Sequence, residues 1–107
     1  MIKAKFFNRE GKTEGFLIVG HAGGRKGLDI FCAGVSALSQ SVFLAIRDYL
    51  KREIEYESAS GLLKLILQSK PDERTEILFQ TLIIGLKEIQ KINPEVIRLE
   101  IVQNEFY

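Results

Sequence analysis

The sequence has no tryptophan, one cysteine, one histidine, one methionine and two prolines. A lone cysteine forms no internal disulfide, so the fold must stand on packing, in keeping with a reducing compartment. An excess of charge is missing as well: 15 basic and 14 acidic side chains leave a net +1. Direct nucleic-acid binding is therefore not expected, because neutralising phosphates takes a basic surface. No apolar run approaches the ~20 residues of a bilayer span. The opening Met1-Ile2-Lys3-Ala4-Lys5 is charged and alternating and lacks the apolar stretch of a signal peptide. A cytoplasmic protein with no membrane partner is expected. There is no low-complexity tract and no solenoid-length repeat. Residues 1–107 are read as a single domain.

What is present is patterned. Ile2, Ala4 and Phe6 alternate with Lys3 and Lys5, which predicts a strand over 2–7 with one wet face. The polar segment 8–15, with Gly11 and Gly15, reads as a hairpin loop, and Phe16–Val19 as a more buried second strand. Asp29 suits the N-cap of a first helix. Phe31, Val35, Leu38, Val42, Ala45 and Tyr49 then form one stripe, ending at Lys51-Arg52. Ile54–Ser58 and Leu62–Gln68 predict a hairpin about Ala59-Ser60-Gly61. Ser69 can cap the second helix, with Pro71 early in it and Asp72 as the capping-box acid. That helix stops before Asn93-Pro94. Its apolar face is broad enough to suggest deep burial or a subunit contact, and Gly85 at its centre predicts close packing. Val96–Val102 alternates as a last strand.

The order is ββ-α-ββ-α-β: an α+β two-layer sandwich, a mixed five-stranded sheet with both helices on one face. The other face is expected to carry lysines and glutamates together with Leu17 or Val19, Leu62, Ile66 and Val96. A half-apolar open face favours association, most simply as a homodimer.

The only histidine and the only cysteine flank one glycine-rich turn, His21-Ala22-Gly23-Gly24-Arg25-Lys26-Gly27-Leu28-Asp29-Ile30-Phe31-Cys32. Cys32 falls in the first turn of the predicted helix, where unpaired N–H groups and the dipole favour a thiolate, the nucleophilic form. The dipole contributes ~0.3–1 kcal/mol. Bringing a thiol from ~8.5 to ~7 takes about 2 kcal/mol. A second positive group is needed, and a nearby protonated His21 can supply it. Ser36 lies one turn beyond Cys32 and can hydrogen-bond the sulfur or a substrate. Asp29 can cap the helix, orient His21, or do both. Three other readings stand beside this one. Cys32 can be an inert thiol at the core edge. His21, Asp29 and Cys32 can ligate a metal, although zinc sites ask for more or better-spaced ligands. The glycine loop with Arg25 and Lys26 can hold an anion, although it fits neither common phosphate-loop pattern.

The stretch Gly20-His21-Ala22, then Asp29-Ile30-Phe31-Cys32-Ala33-Gly34-Val35-Ser36, resembles the signature of the ribosomal-processing cysteine protease family (Prp, YsxB-like). Gln80–Leu86 and Ile97-Arg98-Leu99 are similar to that family too, so the resemblance covers nearly the whole chain. Phe31 stands where valine is commoner. The resemblance implies a cytoplasmic, homodimeric thiol protease without metal or other cofactor. It implies His21 and Cys32 as the catalytic pair, with Asp29 and Ser36 as the accompanying acid and hydroxyl. The implied substrate is the short N-terminal extension of the twenty-seventh protein of the large ribosomal subunit, cut after phenylalanine. Gly23, Gly24 and Gly27 are then expected to form a substrate-gating loop. The competing class is a non-catalytic ribosome-associated binding module whose loop grips phosphate or a partner.

Overall fold

Strand β1 (Ile2–Arg9) buries Ile2, Ala4 and Phe6 and exposes Lys3 and Lys5, as period-two alternation requires. The computed structural model describes residues 1–21 and 29–103. Strand β2 (Lys12–Val19) comes after Glu10-Gly11 alone, both at positive φ (52° and 82°), the geometry of a two-residue hairpin. The long loop expected over 8–15 is thus mostly strand. Its polar composition misled because the polar groups find partners inside the fold. Thr13 donates its backbone N–H to Glu76 Oε2 at 2.8 Å, and its hydroxyl lies 3.2 Å from Asn8 Oδ1. A bulge between Phe7 and Asn8 shifts the register there.

Helix α1 (Asp29–Leu44) runs into a π-helical turn, Ala45–Tyr49. Asp29 is itself helical, so it stands in the first described turn and is not the N-cap expected of it. Val35, Val42, Phe43 and Ile46 are buried, with Phe31 and Leu38 packed at the margin. The expected stripe fails at its end, where Tyr49 is 84% exposed. The cause is the wide turn: Leu50 N–H donates to Ala45 O at 2.8 Å, five residues back. The added residue rotates this last part of the helix, turning Ile46 inward and Tyr49 outward. Lys51, at φ 55°, stops the helix. By length and composition Asp29–Tyr49, 21 residues, is apolar enough to cross a membrane, contrary to expectation. Its Val35, Val42, Phe43 and Ile46 instead belong to the domain core.

Strands β3 (Ile54–Ala59) and β4 (Leu62–Leu67) pair antiparallel around Ser60-Gly61. Helix α2 (Glu73–Ile92) is capped by Asp72, not Ser69. The Asp72 carboxylate accepts from the N–H groups of Arg74 (2.9 Å) and Thr75 (3.0 Å), and Thr75 Oγ1 accepts from Asp72 N–H (3.1 Å). Pro71 therefore precedes the cap. Arg52 Nε meets the same carboxylate at 2.9 Å, tying the α1 exit to the start of α2. Strand β5 (Ile97–Gln103) closes the fold.

The sheet order is β3-β4-β2-β1-β5, with β1 and β5 parallel and the other pairs antiparallel. This is the expected mixed five-stranded α+β arrangement. Phe6, Phe16, Ile18, Leu63, Leu65 and Leu67 pack from one sheet face against α1 and α2. Phe79, Leu82, Ile83 and Leu86 are the buried side of α2, while Ile77, Ile84 and Ile92 are exposed, so deep burial of this helix does not hold. At Gly85 a Cβ would lie 2.8 Å from Leu38 Cδ1, the close packing that its position suggested. On the open face Leu17, Val19 and Leu62 are half-buried. Ile66 is covered because its side chain folds over Gly15, which has no room for a Cβ. Val96 is not on that face; it is buried in the core ahead of β5.

Candidate active site

The end of β2 is pinned from two sides. Gly20 donates its N–H to Gly61 O at 2.9 Å. It adopts φ 101°, and a Cβ there would collide with the carbonyl oxygen of Met1. Only glycine fits both constraints. His21 comes directly after it, exposed, with its imidazole against Gly61 of the β3–β4 turn.

Cys32 comes from the other layer. It is the fourth residue of the described helix, half-buried, and packs against the core cluster. Ser36, one turn on, is exposed. Ser39 is buried and donates its hydroxyl to Val35 O at 2.7 Å, so its polar group is spent on the helix.

His21, Cys32 and Ser36 all border one cleft of about 190 Å³. Ile2, Ile18, Val35 and Leu63 also line it, and these are core residues. A nucleophile type and a base type thus share one opening backed by buried apolar residues, an arrangement that can serve acyl transfer at a carbonyl beside an apolar side chain. Asp29 is exposed and does not border the cleft. Gly23, Gly24 and Gly27, with Arg25 and Lys26, lie outside the described residues. Among the described residues no group of three or more His, Cys, Asp or Glu side chains is placed to hold a metal ion. The His21, Asp29 and Cys32 ligand set is accordingly not assembled.

Sequence reasoning missed Gln40 and Gly61 as cleft residues. For Gln40 the signal was available, since it lies eight residues after Cys32 on the same helix. For Gly61 there was no local signal, because its place beside His21 depends on β4 pairing with β2.

The profile of the family described as cysteine protease Prp matches residues 1–98. The ribosomal processing cysteine protease Prp of Staphylococcus aureus is 34% identical over 95 residues, covering 86% of this chain and 90% of that protein. A crystal structure of the Staphylococcus aureus protease in complex with a substrate peptide superposes with a TM-score of 0.85, at 26% identity, covering 95% of this chain and all (100%) of the other. A Streptococcus mutans protein superposes at a TM-score of 0.79 and 29% identity, covering 97% and 99% of the two chains. Fold and sequence together make the molecule a cysteine protease. The chain belongs to the cysteine protease Prp family.

Proposed function

We propose that this protease removes the short N-terminal extension of a large-subunit ribosomal protein, the twenty-seventh, cutting after phenylalanine, in the cytoplasm and as a homodimer. The observation that carries the chemistry is the shared cleft of His21 and Cys32, which reach it from separate layers of the fold. Its apolar floor suits a phenylalanine side chain at the cut. The substrate class is supported by the similar Staphylococcus aureus protein, named as a ribosomal processing protease.

In this reading His21 takes the Cys32 thiol proton as the sulfur attacks the scissile carbonyl carbon. The tetrahedral oxyanion is held by N–H groups in the first turn of α1. His21 then protonates the leaving amine, the C–N bond breaks, and a thioester remains on Cys32. Water, deprotonated by His21, attacks the thioester and returns the thiol. Ser36, on the rim one turn from Cys32, hydrogen-bonds the substrate. The glycines at 23, 24 and 27 gate the substrate.

The test is a peptide carrying the ribosomal extension, incubated with the wild-type protein and with Cys32→Ala and monitored by mass spectrometry. Cleavage after phenylalanine by the wild type alone is expected. Equal behaviour of the two proteins overturns the assignment of Cys32. Binding of the peptide by both without cleavage favours the binding-module reading.

A further inference from the structure

We propose that Gly61, in the β3–β4 turn, is a positioning residue that seats the His21 imidazole. The inference rests on His21 acting as the base of the proposed reaction. Three observations meet at Gly61. Its carbonyl accepts the Gly20 N–H at 2.9 Å, which anchors the residue just before His21 to the turn. Its φ of +72° belongs to the left-handed region, so the turn conformation already selects glycine. A Cβ at this position would lie 2.6 Å from His21 Nε2, 3.1 Å from Cε1 and 3.4 Å from Cδ2. The imidazole therefore rests on a bare α-carbon, its Nε2 edge nearest, in a space that no side chain can share. Gly61 borders the same cleft as His21 and Cys32. The turn acts as a fixed shelf. It limits where the ring can lie at the edge of the cleft without donating to or accepting from the ring itself.

The fold supplies a matched control. Gly11, in the β1–β2 turn, has a similar φ of +82°, but a Cβ there meets nothing within 4 Å. Gly11→Ala thus imposes comparable backbone strain and leaves His21 untouched. His21 is the chain's only histidine, so its imidazole proton signals are assigned in an NMR spectrum without further labelling.

The experiment compares wild type, Gly61→Ala and Gly11→Ala by thermal melting, by peptide cleavage below all melting temperatures, and by the positions of the His21 imidazole proton signals. Both variants are expected to melt lower. Gly61→Ala alone should move the His21 signals. It should also lose about 10²-fold in kcat/KM, chiefly in kcat, as expected when a reacting group is displaced by about 1 Å. Unmoved His21 signals in Gly61→Ala, or a loss no larger than that of Gly11→Ala, overturn the proposal. Moved signals without any cleavage by the wild type leave the seating of His21 intact and overturn the protease chemistry instead. Should Gly61→Ala fail to fold, nuclear Overhauser contacts between the imidazole and the Gly61 α protons in the wild type decide the matter. Their presence supports the shelf and their absence removes it.

Discussion

Glu76 on α2 accepts the backbone N–H of Thr13 at 2.8 Å, and its other carboxylate oxygen lies 3.2 Å from the Thr13 hydroxyl. A single side chain thus satisfies the polar start of β2 from the helix layer. Gln80 donates to the same carboxylate at 3.0 Å. A hydrogen bond to a charged acceptor contributes about 2 kcal/mol. Glu76→Ala should therefore lower the melting temperature by about 10 °C, measured by circular dichroism, and leave the cleavage rate at 20 °C unchanged. An unchanged melting temperature would show that the strand start holds without the helix.

The Asp72 cap makes stability depend on pH. The Thr75 N–H, and after it the Arg52 guanidinium, holds its carboxyl below the usual carboxylate range against the opposing effect of burial. A depressed value in the folded state means that the stabilisation is fully present above the unfolded value of about 4 and is lost as pH falls through the folded one. At pH 7 Asp72→Ala should cost about 1 kcal/mol, the usual worth of an N-cap. The gap between wild type and variant in urea melts should close as the pH is lowered below about 4. A gap that stays constant down to pH 2 would disprove the linkage.

Side chains on the cleft should separate by role. Cys32→Ala should abolish cleavage. His21→Ala should lower kcat/KM by about 10²–10⁴-fold, the usual worth of general acid–base catalysis, and slow alkylation of Cys32 by iodoacetamide at pH 7. Ser36→Ala removes one hydrogen-bonding hydroxyl and should cost less than about tenfold. Asp29→Asn, exposed and away from the cleft, should leave kcat within about fivefold of wild type, since a charge in a first helical turn is worth ~0.3–1 kcal/mol. A larger loss in Asp29→Asn would assign it a part in the chemistry.

Gly85 and Leu38 form a testable pair across the helix layer. Gly85→Ala gains about 1 kcal/mol of helix propensity but must push aside Leu38 Cδ1, which would sit 2.8 Å from the new Cβ. Near-neutral stability is expected in the wild-type background. In a Leu38→Ala background the obstruction is gone, and Gly85→Ala should stabilise. Denaturant melts of the four proteins in a double-mutant cycle give the coupling, expected between ~0.5 and 3 kcal/mol. Strict additivity would mean that the two residues do not touch.

Local pattern carried much of the fold. Alternation located β1, β4 and β5, and the order of elements led to the sheet-and-helix layering. His21 and Cys32 stood out because each is the only residue of its type. What escaped depends on contacts between distant segments. Lys12-Thr13-Glu14 reads as loop until Glu76 arrives from α2. Tyr49 reads as core until the π-turn adds a residue and rotates it outward. Asp72 reads as a capping-box acid when it is the cap itself, because Thr75 completes the box three residues on. Gly61 reads as an ordinary turn glycine, since nothing in its neighbours announces a histidine forty residues upstream.

The parallel pairing of β1 with β5 sets Ile2 opposite Ile97, and Ile2 is also a wall of the cleft. Closing so long a loop costs chain entropy before the pairing repays it, and folds rich in such pairings form slowly. Synthesis from the ribosome presents β1, the Cys32 helix and the β3–β4 turn well before β5 exists. Ile2, in the wall of the cleft, thus gains its neighbour Ile97 only once β5 has been made. The far edge of the sheet is thereby tied to the cleft through one side chain, Ile2.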